Sequence, residues 1–245
     1  MRLLSALKPP PAPSRLALAS GRFKVLLTAD ADTLAACVDE SGSGWLFTCA
    51  AAVVLGGGVY GYTLGWWRAP LQAFYTAIKF PLLVFLTCGG NALLNGLLAQ
   101  VLGLGISVRQ STLTILMSFA LMALVLGAFS PVMLFLLYNT PPLSAHVPAS
   151  HATLLTAHVA LIAFAGVVAN RRLLRLLARL AGNPASARTI LFAWLAGNLL
   201  LGSQLAWVLR PFVGSPGLPV QFLRPDPLHG NFFEAVARSL KHLFF

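Results

Sequence analysis

From Gln110 to Asn170 the chain carries no Asp, Glu, Lys or Arg. So long an uncharged stretch cannot fold as a water-facing layer, whereas hydrocarbon accepts it. Charge is scarce elsewhere too. Only 9% of residues are charged and 58% are hydrophobic, where a soluble domain has about a quarter of its residues charged. These features predict an all-α fold: a polytopic membrane bundle of about five transmembrane helices, with amphipathic helices at its interfaces.

Three regions follow. Residues 1–44 form a polar N-terminal region that holds four of the six acidic residues. It opens on the Pro-rich KPPPAPSR, expected to be extended linker, and a short helix is plausible from about Asp32 to Glu40. Residues 45–209 hold the expected spans: Trp45 to Gly65, Phe80 to Gly105, Ser111 to Tyr138, His151 to Asn170 and Thr189 to Leu209. Between the first two, Pro70 opens a short interfacial helix, with Leu71, Phe74, Tyr75 and Ile78 as its apolar face and Gln72, Thr76 and Lys79 between them. Residues 210–245 are a Pro/Gly-rich tail closing on an amphipathic helix. There Asn231 and Glu234 have capping-box spacing, and Phe232, Val236, Leu240 and Leu243 make an apolar stripe.

Within the first span Gly57, Gly61 and Gly65 recur every four residues. That spacing makes a smooth stripe against which another helix can pack closely. Trp45, Trp66 and Trp67 bracket the span as interfacial anchors. After the fourth span, Arg172, Arg175 and Arg179 share one helical face opposite leucines. The helix should run on past the bilayer and stop at Gly182-Asn183-Pro184.

Several function classes lose support. The net charge of +11 suits juxtamembrane Arg and Lys meeting anionic lipid. The basic residues flank apolar spans and are not interleaved with aromatics on a polar groove, so no nucleic-acid partner is expected. Cys37, Cys49 and Cys88 make an odd count without CxxC spacing, which gives neither a disulfide framework nor a zinc site. No HExxH, no GxSxG and no intramembrane aspartate pair occurs, so no catalytic residue, cofactor or metal site is expected. No Asp or Glu lies between Glu40 and Asp226, which argues against ion-coupled transport.

The remaining candidates are polar residues inside spans: Asn91, Asn95, His158, Asn198 and Gln204. Each could line a solute site or simply hydrogen-bond between helices, the latter being the favoured reading at about 0.6 kcal/mol per contact. His151 and His158 share a face, but without a carboxylate or thiolate nearby they are a weak metal signal. In the tail, Arg210 and Arg224 each precede a proline, which favours extended geometry. The segment between them should either dock on a partner, seal one mouth of the bundle, or lie on the bilayer with its arginines on phosphates. Arg172, Arg175, Arg179, Arg210, Arg224, Phe232 and Phe233 are therefore the expected partner or lipid contacts. Most of the 17 Lys and Arg fall on the side of the N-terminal region, so the positive-inside rule places the N-terminus in the cytoplasm and the C-terminus outside.

The stretches QAFYTAIKFPLLVFLTCGGNALLN and GSQLAWVLRPFVGSPGLPVQFLRP, set in the pattern of spans behind a polar N-terminal region, resemble the Yip (Ypt/Rab-interacting protein) family and its bacterial relatives. The resemblance covers roughly Trp45 to the C-terminus. It implies a five-helix bundle with a scaffold or trafficking role and carries over no catalytic residue. The long Pro-rich tail departs from the eukaryotic pattern and puts a Rab-type partner in doubt. The Ala-rich, Arg-over-Lys usage points to a bacterial cytoplasmic membrane. The expected function is a non-enzymatic membrane scaffold or accessory subunit, in contact with lipid and other membrane proteins. A passive channel or transporter for a small solute is the alternative.

Overall fold

The structure, a computed structural model, describes residues 15–40, 43–102, 105–141, 148–214 and 218–234; at 15–19, 148–152 and 155 it describes the backbone. Among the described residues the chain is helical, with no strand. Helices α1 (Arg15–Thr28) and α2 (Ala31–Asp39) precede five long rods. The first rod is α3 (Gly44–Ala52) continued into α4 (Gly58–Trp66) through a π-helical turn, Val53–Gly57. The others are α5 (Pro70–Val101), α6 (Val108–Tyr138), α7 (Pro148–Ala181) and α8 (Pro184–Val208).

Local chemistry sets the ends of these elements. Asp30 accepts the Thr33 amide at 2.9 Å and caps α2. Ser107 and Gln110 form a reciprocal capping box at the start of α6, which satisfies two amides that a helix N-terminus otherwise leaves unpaired. Pro70 and Pro184 sit in the first turns of α5 and α8, where a missing N–H costs nothing. Gly182, at φ +63°, ends α7, and the Asn183 side chain then caps α8. The helix stop read from Gly182-Asn183-Pro184 is where the chain turns.

The rods run antiparallel, so the molecule has two ends. One end carries α1, α2 and the last turns of α7; the other carries the α4–α5 connection and the tail after α8. Four helical stretches are long and apolar enough to cross a membrane: Gly44–Trp66, Pro70–Val101, Val108–Tyr138 and Pro184–Val208. The protein is an all-α membrane bundle, but this count among the described residues is four, not five. The segment from His151 to Asn170 lies in α7, a helix of 34 residues that is not among the four counted from described residues. Its first side chains lie outside the described residues, and its last turns carry Arg171, Arg172, Arg175 and Arg179.

A second correction concerns residues 70–79. They form no separate interfacial helix: α5 runs unbroken from Pro70 through Pro81 to Val101. Its first turns are oriented opposite to a water-soluble helix. Leu71, Phe74 and Ile78 are exposed, while Gln72, Thr76 and Lys79 are fully buried. In lipid the apolar face belongs outside and the polar face must find partners within.

Packing is close where small residues allow it. A Cβ on Gly61 would stand 2.5 Å from the Thr76 carbonyl oxygen, and one on Gly65 would stand 2.6 Å from that of Gln72. Gly57 faces the Phe80 ring, 3.1 Å from where its Cβ would be. Gly56 meets α6 at Gly127, where an added Cβ would approach the Gly56 Cα to 2.9 Å. The main core holds Leu26, Leu34 and Val38 from the N-terminal helices together with residues of the rods, so α1 and α2 are docked on the bundle.

Candidate functional site: a tail seated on the polar strip of alpha 5

At the tail end the polar strip of α5 receives the backbone leaving α8. Gln72 Nε2 donates to the carbonyls of Pro211 (3.0 Å) and Phe212 (2.9 Å). Thr76 Oγ1 lies 2.7 Å from the Phe212 carbonyl. Lys79 Nζ donates to the Pro211 carbonyl at 2.9 Å and sits 4.9 Å from the Phe222 ring centroid and 5.9 Å from that of Phe212. Residues four and three apart on a helix share a face, so Gln72, Thr76 and Lys79 form one rail that grips two successive carbonyls. Backbone dipoles and ring faces, with no carboxylate, accommodate the buried ammonium.

The rest of the tail is also held. Arg68 Nη2 donates to the Leu218 carbonyl at 2.9 Å. Arg210 stacks on Trp207, 3.8 Å from the ring centroid, and donates to the carbonyls of Trp207 and Pro227. Burial first, and the charge of Arg224 second, lower the Arg210 pKa from its ordinary value. Trp207 Nε1 reaches the His229 carbonyl at 3.1 Å, and Tyr75 meets Phe222 edge-on. Asn231 Oδ1 accepts the Glu234 amide at 2.8 Å, and Asn231 Nδ2 donates to Glu234 Oε1 at 2.6 Å. A helical turn starts at Phe232; the expected amphipathic helix beyond Glu234 lies outside the described residues. The anchored tail nevertheless leaves Leu218, Leu223, Leu228, Phe232 and Phe233 exposed, Leu228 by 79%.

The other expected residues are dispersed. Asn91 donates to the Gly197 carbonyl (3.0 Å) and to Asn198 Oδ1 (3.1 Å), joining α5 to α8. Asn95 is fully buried and its side-chain amide has no partner; its backbone carbonyl accepts Trp194 Nε1 at 2.9 Å. Gln204 points to the tail, 3.5 Å from the Phe232 amide. His158 is buried, with Nδ1 2.9 Å from the Tyr60 hydroxyl; the His151 side chain lies outside the described residues. Among the described residues no three His, Cys, Asp or Glu are placed to hold a metal.

The arginines of α7, expected to contact a partner or lipid, are partly engaged by the chain's own N-terminal region. Arg172 donates to the carbonyls of Leu27 and Ala29, and Arg179 pairs with Asp32. Arg175 remains exposed. Nearby a small, mainly apolar crevice is lined by Leu26, Leu34, Thr114, Met117 and Arg172 among others.

Sequence reasoning missed Gln72, Thr76, Lys79 and Arg68. A signal was present: a lysine three residues past a Gln–Thr pair at helical spacing, leading into an apolar span in a chain almost without carboxylates. Comparison with protein families, with characterised proteins and with solved structures returns no match.

Proposed function

We propose that the chain is a non-enzymatic membrane scaffold or accessory subunit of a larger membrane complex, and that its tail-bearing end is the face it presents to a partner. The observation that carries this reading is the exposed apolar set on the tail, Leu218, Leu223, Leu228, Phe232 and Phe233. These side chains ride on a backbone already anchored to α5. A pre-organised apolar surface loses little entropy on docking, and aromatic residues are enriched at protein interfaces. In this proposal the membrane is a bacterial cytoplasmic one, the arginine-rich end with α1 and α2 is cytoplasmic, and the tail is external. The Yip-like resemblance belongs to the same proposal.

The test is affinity purification in mild detergent, with and without residues 226–245. Loss of co-purifying membrane proteins while the bundle keeps its melting temperature supports the reading; an unchanged set overturns it. Reporter fusions at Gly44 and Phe245 should report opposite sides. The channel alternative rests on the intramembrane amides. Asn91 and Asn198 bond each other, which favours a helix contact over a solute path. Loss of function in Asn91→Leu with Asn198→Leu, with none on truncation, would reverse that preference.

A further inference from the structure

We propose that Arg68, Arg210 and Arg224, backed by the buried Lys79, form a binding site for the phosphate of an anionic phospholipid at the tail end of the bundle. The fold brings these four cations together from two distant parts of the chain. Arg68 and Arg224 reach successive carbonyls of the tail, Leu218 and Pro219. Lys79 lies 4.9 Å from the ring of Phe222, two residues before Arg224, and the charge of Arg224 also bears on Arg210. No carboxylate offsets this group. Among the described residues the ion pairs are Arg22–Glu40 and Arg179–Asp32, both at the other end. Of the two acidic residues after Glu40, Asp226 offers Arg210 only its backbone carbonyl, and Glu234 is bonded to Asn231.

Carbonyls satisfy hydrogen bonds but leave the net charge in place, and the field of clustered cations draws an anion. Guanidinium groups match phosphate oxygens in geometry as well as charge. Arg68 also keeps a buried Nε with no hydrogen-bond partner. A lipid fits better than a free phosphate because of what lies alongside. The same turns of α5 expose Leu71, Phe74 and Ile78, an apolar wall for an acyl chain, and Trp66 and Trp207 place this level at the headgroups.

The full chain, purified in detergent, is titrated with phosphatidylglycerol, with phosphatidylcholine and with inorganic phosphate, and bound lipid is counted by native mass spectrometry. Phosphatidylglycerol should be retained, phosphatidylcholine should not, and phosphate should fail to displace the lipid. Arg68→Gln and Arg224→Gln should each weaken retention about fivefold, and Arg224→Lys should largely preserve it. Arg171→Gln with Arg175→Gln, at the opposite end, corrects for unspecific attraction and should leave this site filled. Equal retention of phosphatidylcholine, displacement by inorganic phosphate, or an equal loss in the Arg171/Arg175 control would overturn the proposal. So would unchanged retention in Arg68→Gln with Arg224→Gln. Should the glutamine variants not fold, the lipid and phosphate comparisons on the unaltered chain still decide it, as does added salt, which should weaken retention.

Discussion

The two ends of the bundle hold their cations by different means. At the end with α1 and α2, Arg172 donates to the Leu27 and Ala29 carbonyls, while two other arginines meet carboxylates within reach of water. Arg179 pairs with Asp32, both side chains more than half exposed, and Arg22 lies 3.7 Å from Glu40. At the tail end Lys79 is fully buried and meets only carbonyls and aromatic rings. Exposed ion pairs contribute about 0–1 kcal/mol each. A buried polar group stripped of its partner costs about 1–3 kcal/mol. The exposed salt bridges of the first end therefore contribute less to its closure than the buried contacts of Lys79 contribute to the tail's.

The comparison can be broken most forcefully from beneath the tail. Gly61→Leu would drive a side chain into the Thr76 backbone, wedge α4 from α5 and displace the rail on which the tail rests. The expected loss is about 3 kcal/mol or more, read as loss of monodisperse protein in detergent. Unchanged melting would mean that the two helices can part without cost. Next comes Gln72→Leu, which removes one donor from each of the Pro211 and Phe212 carbonyls. A destabilisation of about 1–3 kcal/mol should appear as faster proteolysis and amide exchange in residues 211–224, with α1 and α2 unchanged. Equal loosening of both ends would erase the distinction between them.

How much of this was readable in the sequence depends on the kind of signal. The membrane class followed from the missing charges, because hydrocarbon tolerates few alternatives. The glycine spacing pointed to a close helix contact, and α4 lies against α5 there. The start of α5 was misread because Leu71, Phe74 and Ile78 look like a buried face by the rules for water; in lipid the rule inverts, and Gln72, Thr76 and Lys79 turn inward. The tail looked ordered from its Pro and Arg content, but its seat did not show. Contacts between backbone carbonyls and side chains 132–140 positions away leave no periodic trace. Nor does composition reveal that Arg172 and Arg179 are occupied by the chain's own N-terminal region.

Two smaller effects sharpen the comparison. Asn91→Leu with Asn198→Leu removes a contact midway between the ends. About 0.6 kcal/mol should be lost in thermal unfolding, with neither end opening selectively. A loss of several kcal/mol would show that the middle, not the tail seat, holds the bundle together. Arg179→Ala should have the smallest effect, at most about 1 kcal/mol, and that difference should shrink in concentrated salt. A large, salt-insensitive loss would mean that the exposed end closes by more than its ion pair.

The seat on α5 also has a consequence in time. Polypeptides emerge from the ribosome N-terminus first, at roughly 5–20 residues per second. Lys79 precedes the carbonyl it donates to by 132 positions, an interval on the order of ten seconds at that rate. Until then the rail of Gln72, Thr76 and Lys79 is made but unfilled, whatever the state of the helices around it. A nascent chain that terminates before Pro211 never fills it, so this end of the molecule closes only after the segment that follows α8 has been made.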